Sequence, residues 1–259
     1  DHRDLHSFPT RRSSDLVDNN LWVTPENIIN TGRWNKRFID GIRNPCLSDP
    51  AVRRQNRQVT SRFAGSFRRF GALGYSSTGE HSLCTARPNG TACLGPYCRA
   101  EFMAHLQRTY EELKGLNAQW DTEYETWDEV KALRWEDGAA DLKNPARWID
   151  FRLFMEDVYT GMQSRFNATI RRVHPEAYVG YNRGVYGESP FGGFNRAKLG
   201  RISNFSIENQ PSWLEDKSVS TTMELLLDSA PDMKVGYYTG YKYMDFEPDR
   251  YWFKAWWMA

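Results

Sequence analysis

Long apolar runs are missing from this chain of 259 residues. No stretch approaches the roughly 20 apolar residues that a helix needs to cross a bilayer, so we expect no membrane partner. An excess of one charge is missing as well, because 34 Lys and Arg side chains face 33 Asp and Glu side chains, for a formal net charge of +1. This balance argues against a nucleic-acid partner, which usually calls for a strongly basic chain.

The N-terminus lacks the apolar core of a secretory signal peptide. Residues 4–16 read DLHSFPTRRSSDL, which is typical of a translated sequencing adaptor, so we interpret residues 1–16 as non-native and the chain as a metagenomic fragment. At the other end, the run FKAWWMA contains no helix-stop signal. We expect residues 17–259 to form a partial catalytic domain, incomplete at both ends. For the location of the whole protein we favour secreted or periplasmic, with cytoplasmic left open.

Short apolar runs alternate with longer helical patterns along the rest of the chain, and no linker rich in Gly, Ser or Pro divides it. This alternation predicts one α/β unit. Apolar residues spaced by three or four positions predict helices from Phe102 to Trp120 and from Trp148 to Ile170. Asn144-Pro145 predicts the start of the second helix, and His174-Pro175 predicts its end. The strand candidates are Leu21–Thr24, Gly71–Ser77, Tyr178–Asn182, Asn204–Glu208 and Lys234–Thr239.

Repeated strand–helix units either close into a barrel or form an open doubly wound sheet, and periodicity alone does not separate the two folds. The phosphate-binding patterns GxGxxG and GxxxxGK[ST] are both missing, which removes the usual support for a nucleotide-binding open sheet. In a barrel, the chemistry lies at the carboxyl ends of the strands. The residues that directly follow predicted strands are therefore the candidates for function.

A glutamate follows the predicted strand Gly71–Ser77, in the run Thr78-Gly79-Glu80-His81. Hydrolysis of a glycosidic bond needs one carboxylic acid that protonates the leaving oxygen and a second carboxylate on the other side of the sugar ring. Glu80 fits the first role. Its position alone is equally compatible with a solvated glutamate on a loop.

An ordered set of motifs follows Glu80. Its parts are Cys93-Leu94-Gly95-Pro96-Tyr97-Cys98, the pattern Y-x-x-L-x-x-L-N-x-x-W-x-T from Tyr110 to Thr122, Trp127-Asp128-Glu129-Val130, and the pattern D-x-R-x-F that begins at Asp150. Through these motifs the chain from Tyr75 to about Gly184 resembles glycoside hydrolase family 42, the β-galactosidases, and related barrel hydrolases. The resemblance implies an α/β fold of the (β/α)8 TIM-barrel type and a glycosidase that requires no cofactor.

The resemblance also implies roles for particular carboxylates. In this family the glutamate after the fourth strand is the acid/base, which corresponds to Glu80, and Gly79 stands where the family usually has Asn. The nucleophile should follow the seventh strand, here Met233–Thr239, but the four residues after that strand include no acid. We predict Glu208 as the second catalytic carboxylate. The other candidates are Asp245 and Glu247.

Several polar and aromatic residues follow the predicted strands and are suited to contact a sugar, because aromatic faces stack on sugar rings and Asn and Arg donate to hydroxyls. The predicted substrate contacts are Tyr181, Asn182, Arg183 and Trp213. For Trp213, packing within its loop is an equally good interpretation. Asp150 and Arg152 lie on a predicted helix, where we expect an ion pair of the outer helical ring rather than catalysis.

The four cysteines are Cys46, Cys84, Cys93 and Cys98. Four thiolates can hold a tetrahedral zinc ion, and the resemblance implies such a site with one ligand before the acid/base and three after it. The spacing Cys93-x₄-Cys98 is looser than a standard zinc knuckle, so disulfides or free thiols stay open beside structural zinc. In each case we expect the cysteines to hold the loop beside the active site.

We therefore predict a glycoside hydrolase of the β-galactosidase kind, which acts on a β-linked sugar of an oligosaccharide or polysaccharide. The alternative from another class is a catalytically inactive barrel that binds glycans. A sugar isomerase or aldolase on the same barrel would need a lysine or metal-binding carboxylates at strand ends, and Lys242 is the one lysine so placed. A homo-oligomer is compatible with the sequence.

Overall fold

The computed structural model describes residues 38–39, 42–43, 46–77, 83, 93–132, 143–182, 193, 195–209, 228 and 230–238. The first strands, β1 (Phe38–Ile39) and β2 (Ile42–Arg43), form a short antiparallel pair. The remaining strands are β3 (Gly74–Ser76), β4 (Tyr178–Asn182), β5 (Phe205–Asn209) and β6 (Lys234–Tyr238). These four strands form one parallel sheet in the order β3-β4-β5-β6.

The helices are α1 (Pro50–Arg68), α2 (Pro96–Tyr110), α3 (Leu113–Trp120), α4 (Ala146–Val173) and α5 (Arg196–Gly200), with a 3₁₀ turn at Trp127–Glu129. Parallel neighbours in sequential order, with helices between β3 and β4 and between β4 and β5, are the arrangement of a (β/α) barrel wall. Four of the five predicted strands are confirmed; Leu21–Thr24 lies outside the described residues. None of the described helices is both long and apolar enough to span a membrane.

Strands β4 and β5 approach each other unusually closely at Gly180, which pairs with Phe205. A Cβ atom at position 180 would lie 1.6 Å from the carbonyl oxygen of Phe205. Only glycine fits such an approach, because any side chain would force the two backbones apart.

Helix α1 was not predicted from the sequence, because its residues are mostly polar and its apolar stripe is weak. Its start does carry a recognisable signal, since Pro50 occupies the first turn and Asp49 Oδ1 accepts a hydrogen bond of 2.7 Å from Ala51 N–H. The helix packs along the C-terminal half of α4. Its Arg68 guanidinium donates to the carbonyl oxygen of Val173 at 2.8 Å, where α4 ends.

The single helix predicted from Phe102 to Trp120 is wrong, because the chain breaks into α2 and α3 at Glu111, which has φ = 58°. In one straight helix, residues 110 and 120 would be about 15 Å apart along the axis. The break instead lets Tyr110 Oη and Trp120 Nε1 donate to the same oxygen of Asp150, at 2.5 and 2.6 Å. This shared carboxylate joins both helices to α4.

Helix α4 is the central helix of the described core. It begins at Ala146, one residue later than predicted, with Asn144 Oδ1 accepting from Ala146 N–H at 3.0 Å, and it ends before His174 as predicted. Phe151 and Phe154 pack against Phe102 of α2 with ring centroids 5.2 Å apart. Its buried apolar side chains, which cover the sheet and the neighbouring helices, are Phe151, Phe154, Met155, Tyr159, Met162, Phe166 and Ile170.

Candidate active site and cysteine cluster

The carboxyl end of β3 is held in place just before the predicted acid/base. Ser77, the residue after this strand, has no exposed surface. Its N–H donates to the carbonyl oxygen of Gly180 in β4 at 3.1 Å, and its hydroxyl donates to Gln163 Oε1 of α4 at 2.7 Å. Glu80 follows three residues later and lies outside the described residues.

Two buried amides of α4, which we call the strand anchor, connect three strands. Gln163 donates through Nε2 to the carbonyl oxygen of Gly180 at 2.8 Å and to Asn167 Oδ1 at 2.9 Å. Asn167 in turn donates to the carbonyl oxygen of Ile202 at 2.9 Å and to the Ser203 hydroxyl at 3.1 Å, just before β5. A buried network whose members all find partners is rigid, so the anchor sets β3, β4 and β5 relative to one another.

Two other predicted site residues lie at the same edge of the sheet as Ser77. Asn182 is the last residue of β4 and pairs with Ile207, and Glu208 lies in β5 opposite Tyr237 of β6. The carboxyl ends of parallel strands meet at one edge, so the backbone of both residues is where a barrel active site requires it. The site candidates that lie outside the described residues are Glu80, Cys84, Arg183, Trp213, Lys242, Asp245 and Glu247.

The position of Tyr181 argues against its predicted sugar contact. Its side chain has no exposed surface. Because β3 and β4 pair in register and side chains alternate along a strand, Tyr181 shares its face of the sheet with Tyr75 and Ser77. The Tyr75 hydroxyl contacts His174 Nδ1 at 3.0 Å, and Ser77 bonds to Gln163, so this face is the one covered by helices. Tyr181 packs between sheet and helices rather than at the open edge. Position 208 of β5 shares this face with Tyr181, which argues against the predicted catalytic role of Glu208.

Three thiols converge beside the start of α2 and form what we call the cysteine cluster: Cys46, Cys93 and Cys98. Their sulfur atoms all lie within 4.8 Å of one another, and Cys46 Sγ is 3.5 Å from Cys98 Sγ. Cys93 and Cys98 are buried, and Cys93 Sγ accepts from Gly95 N–H at 3.3 Å. The cluster thus joins the segment before α1 to the first turn of α2.

The three described cysteines are free thiols. Four sulfur ligands at the usual Zn–S distance of about 2.3 Å would be about 3.8 Å apart in a tetrahedron, a separation similar to those in the cluster. Hydrogen bonding to the neighbouring Cys93 raises the pKa of Cys46, and bonding to Cys46 raises the pKa of Cys98. A cation bound between them would have the opposite effect, because it stabilises thiolates. Thus the donor set fits a soft divalent metal, with Cys84 outside the described residues.

Polar groups connect the cysteine cluster to α1 and α2. The Cys98 thiol donates to the Ser48 hydroxyl at 3.4 Å, and Ser48 donates to Glu101 Oε2 at 2.5 Å. The other oxygen of Glu101 pairs with the Arg53 guanidinium at 2.7 Å. These bonds give the polar groups around the cluster hydrogen-bond partners, and they hold α1 and α2 close together.

A cavity of about 500 Å³ adjoins the cysteine cluster and was not predicted from the sequence. Buried Phe102 and Phe151 contribute to its lining, together with the partly exposed indole of Trp127. Its charged lining residues are Arg99, Asp128 and Lys131. Trp127 and Asp128 belong to a family motif, but nothing in their spacing indicated that they would line a cavity with the two cysteines.

Asp150 and Arg152 do not form the ion pair expected between them. Asp150 accepts from Tyr110 and Trp120, as described above, whereas Arg152 pairs with the buried Glu156 one turn along α4. Glu156 also accepts from Asn195 Nδ2 at 2.8 Å, just before α5. Asp150 therefore joins α2 and α3 to α4, and Arg152 pairs with Glu156, which connects α4 to the start of α5. The expectation of a structural role is consistent with these contacts, while the pairing was wrong.

Comparisons with known proteins agree with this geometry. A family model for glycoside hydrolase family 42, described as "Beta-galactosidase", matches residues 23–229. The β-galactosidase BgaA of a Thermus species is 27% identical over 178 residues, which cover 64% of this chain and 25% of that protein. The chain therefore spans about a quarter of the length of this curated relative.

Solved structures of low sequence identity share the fold. A β-galactosidase from Bacillus circulans sp. alkalophilus has a TM-score of 0.57 at 16% identity, with 71% of this chain and 27% of that chain covered. An exo-carrageenase from Bacteroides ovatus has a TM-score of 0.56 at 19% identity, with 79% and 32% covered. The described sheet and helices are part of the TIM barrel that these proteins share.

Proposed function

The chain belongs to glycoside hydrolase family 42, and on this basis we propose that its protein hydrolyses a β-linked, galactose-like residue of an oligosaccharide or polysaccharide. The observation that carries the proposal is the end of β3. Ser77 is bonded to both β4 and α4 there, at the edge of the sheet where barrel enzymes carry their chemistry, and Glu80 follows Ser77 by three residues in the sequence. This position is where the family has its acid/base.

In the proposed reaction Glu80, in its protonated form, gives a proton to the leaving glycosidic oxygen. A second carboxylate stabilises the positive charge that develops at the anomeric carbon, or attacks it. Glu80 then takes a proton from the incoming water. An acid with this role needs a raised pKa, which a sugar-filled, poorly hydrated mouth would provide.

We propose that the second carboxylate is Asp245 or Glu247, which follow β6 in the sequence, rather than Glu208. The register of the sheet puts position 208 on the face that Ser77 and Tyr181 share, and helices cover this face. A carboxylate that reaches a sugar in a barrel must instead come from the opposite face or from a loop beyond a strand.

A Glu80→Gln variant tests the acid/base role. We expect hydrolysis of an aryl β-galactoside with a poor leaving group to fall by about 10²–10⁴-fold, because general acid catalysis is lost. For a dinitrophenyl galactoside, whose leaving group needs little protonation, the rate of the first step should fall much less. The matched control is Glu123→Gln, which changes an exposed glutamate and should leave both rates unchanged.

Equal losses on both substrates would contradict an acid role for Glu80, and unchanged turnover would reject the assignment. A parent chain that binds galactosides without hydrolysing them would favour the inactive, glycan-binding barrel. For the second carboxylate, Glu208→Gln, Asp245→Asn and Glu247→Gln are compared directly. The proposal predicts that one of the last two abolishes turnover of the dinitrophenyl substrate and that Glu208→Gln does not.

We also propose that the cysteine cluster and Cys84 hold a structural zinc ion, which would fix the segment after Glu80 without taking part in the reaction. The three sulfur atoms within 4.8 Å of one another support this role. Purified protein should contain about one zinc per chain by elemental analysis, and Cys98→Ser should lose most of it. Zinc-free parent protein with a disulfide in the cluster would reject the proposal.

A further inference from the structure

A groove between α1 and α4, with a volume of about 460 Å³, carries an unusual concentration of arginines. Leu47, Met162 and Phe166 contribute its apolar lining. Its charged residues, which together define what we call the arginine groove, are Arg53, Arg54, Arg57, Arg165 and Arg172. Because α1 and α4 cover the helical side of the sheet, the groove is separate from the open edge that carries the candidate active site.

Most of this charge is not neutralised within the described part of the chain. Arg53 pairs with Glu101 at 2.7 Å. The structure gives no ion pair or side-chain hydrogen bond for Arg54, Arg57, Arg165 or Arg172 among the described residues. Among the described residues, these four positive charges therefore share one groove without a carboxylate in ion-pair contact, and a bound anion would relieve their mutual repulsion.

The environment of Arg165 shows the same imbalance. Much of its side chain is reached by solvent, but enough protein surrounds the guanidinium for desolvation, together with a smaller contribution from the charge of Arg53, to lower the pKa of Arg165 to about 10. Glu101 offsets only part of this effect. Arg165 remains charged at neutral pH, so the groove keeps its positive field.

The chemistry of the lining selects a class of ligand. Guanidinium groups bind sulfate and carboxylate oxygens through two parallel hydrogen bonds, and they do so better than lysines. The apolar floor between them suits the C–H faces of sugar rings. At one end the groove reaches Leu47, which directly follows Cys46 of the cysteine cluster, so a chain molecule in the groove could continue toward the loop that carries Glu80.

We propose that the arginine groove binds an anionic polysaccharide, through sulfate ester or carboxylate groups, as a second carbohydrate site outside the catalytic mouth. The choice of a polysaccharide as the anion rests on the proposed glycosidase function. The site would hold a charged polymer against the protein while its end is hydrolysed elsewhere.

The test compares two double variants that remove the same charge from the same two helices. Arg57→Gln with Arg172→Gln removes one arginine from each wall of the groove. Arg62→Gln with Arg171→Gln changes exposed arginines outside the groove. Binding of a sulfated galacto-oligosaccharide is measured by calorimetry at low salt. We expect the groove variant to lose about tenfold in affinity for each arginine, and the control variant to stay within about twofold of the parent.

Equal losses in both double variants would overturn the proposal, because they would indicate general charge attraction. Equal binding of the unsulfated oligosaccharide would overturn it as well, and so would tighter binding of duplex DNA with the same dependence on the groove arginines. Separate measurements distinguish failure of the groove proposal from failure of the catalytic proposal. Glu80→Gln should bind the sulfated probe as the parent does, and the groove variant should hydrolyse a neutral aryl galactoside at the parent rate.

Discussion

Replacing Gln163 by Leu tests whether the strand anchor holds the carboxyl end of β3. The change removes three hydrogen bonds from a position with no exposed surface. The carbonyl oxygen of Gly180 keeps its bond to Ser77 N–H, but the Ser77 hydroxyl loses this acceptor and Asn167 Oδ1 loses its donor. At about 1–3 kcal/mol for each buried group left without its partner, Gln163→Leu should lower the free energy of unfolding by about 2–6 kcal/mol.

Urea denaturation followed by tryptophan fluorescence measures this loss. Leu has a similar volume, so the effect reports lost hydrogen bonds rather than a cavity. Gln107→Leu is the matched control, since Gln107 is exposed on α2 and its change should cost less than about 0.5 kcal/mol. A loss below about 1 kcal/mol for Gln163→Leu would refute the idea that the anchor stabilises the sheet.

A Gln163→Glu variant separates polarity from hydrogen-bond direction. The new carboxyl group can accept from Ser77, but when ionised it also faces the Gly180 carbonyl and Asn167 Oδ1, which both accept. Burial would raise its pKa in the folded state above the unfolded value of about 4.3. The variant should therefore be closest to the parent below about pH 4 and lose stability as the pH rises toward 7. A constant difference across this range would contradict the donor assignment at Nε2.

Three further substitutions test other contacts, each by denaturation of the variant beside the parent. Burial opposes ionisation of Glu156, but hydrogen bonds from Arg152 and Asn195 lower its pKa. Glu156→Gln should therefore lower the free energy of unfolding by about 3 kcal/mol at pH 7, and the difference from the parent should shrink as the pH falls below about 4.5. A difference in stability that grows in acid would contradict this. Asp150→Asn weakens the bonds that join α2 and α3 to α4 and should cost about 1–3 kcal/mol, whereas no loss would show that the helix break has another cause. Gly180→Ala should cost about 3 kcal/mol, because its Cβ would collide with Phe205, and a neutral effect would contradict the close approach of β4 and β5.

The parallel strands could be predicted because each is a short apolar run that starts and stops abruptly. Tyr178–Asn182 has the bounds expected from its sequence, and Lys234–Tyr238 differs by one residue. Helix α1 could not be found by apolar spacing, since it uses few buried side chains, although Asp49-Pro50 marked its start. The break at Glu111 also left no local signal, because the contacts that accompany it go to Asp150, an acid distant in sequence that two aromatic donors share.

The candidate site shows the same division between local and distant information. The positions of Asn182 and Glu208 near the carboxyl ends of strands were predictable, because each lies at the end of a short apolar run. The faces on which Tyr181 and position 208 lie were not, because they depend on the register of the neighbouring strands. For the cysteines, spacing left zinc, disulfides and free thiols open. The approach of Cys46 to Cys93 and Cys98 was predicted only through the family resemblance, because it depends on how distant segments pack, which the spacing of the cysteines does not encode.

The strand anchor and the cysteine cluster hold the two ends of the segment that carries Glu80, since the anchor bonds to Ser77 and the cluster includes Cys93. If each end is fixed independently, the losses of unfolding free energy from Gln163→Leu and Cys98→Ser should add to within about 0.5 kcal/mol in the double variant. Turnover should behave differently. If one end of the segment is still held, Glu80 reaches the substrate part of the time, but if both ends are released it should not. The double variant should therefore lose more in kcat than the product of the two single losses, while KM changes little. Additive effects on kcat would show that the two ends do not act on a common catalytic residue.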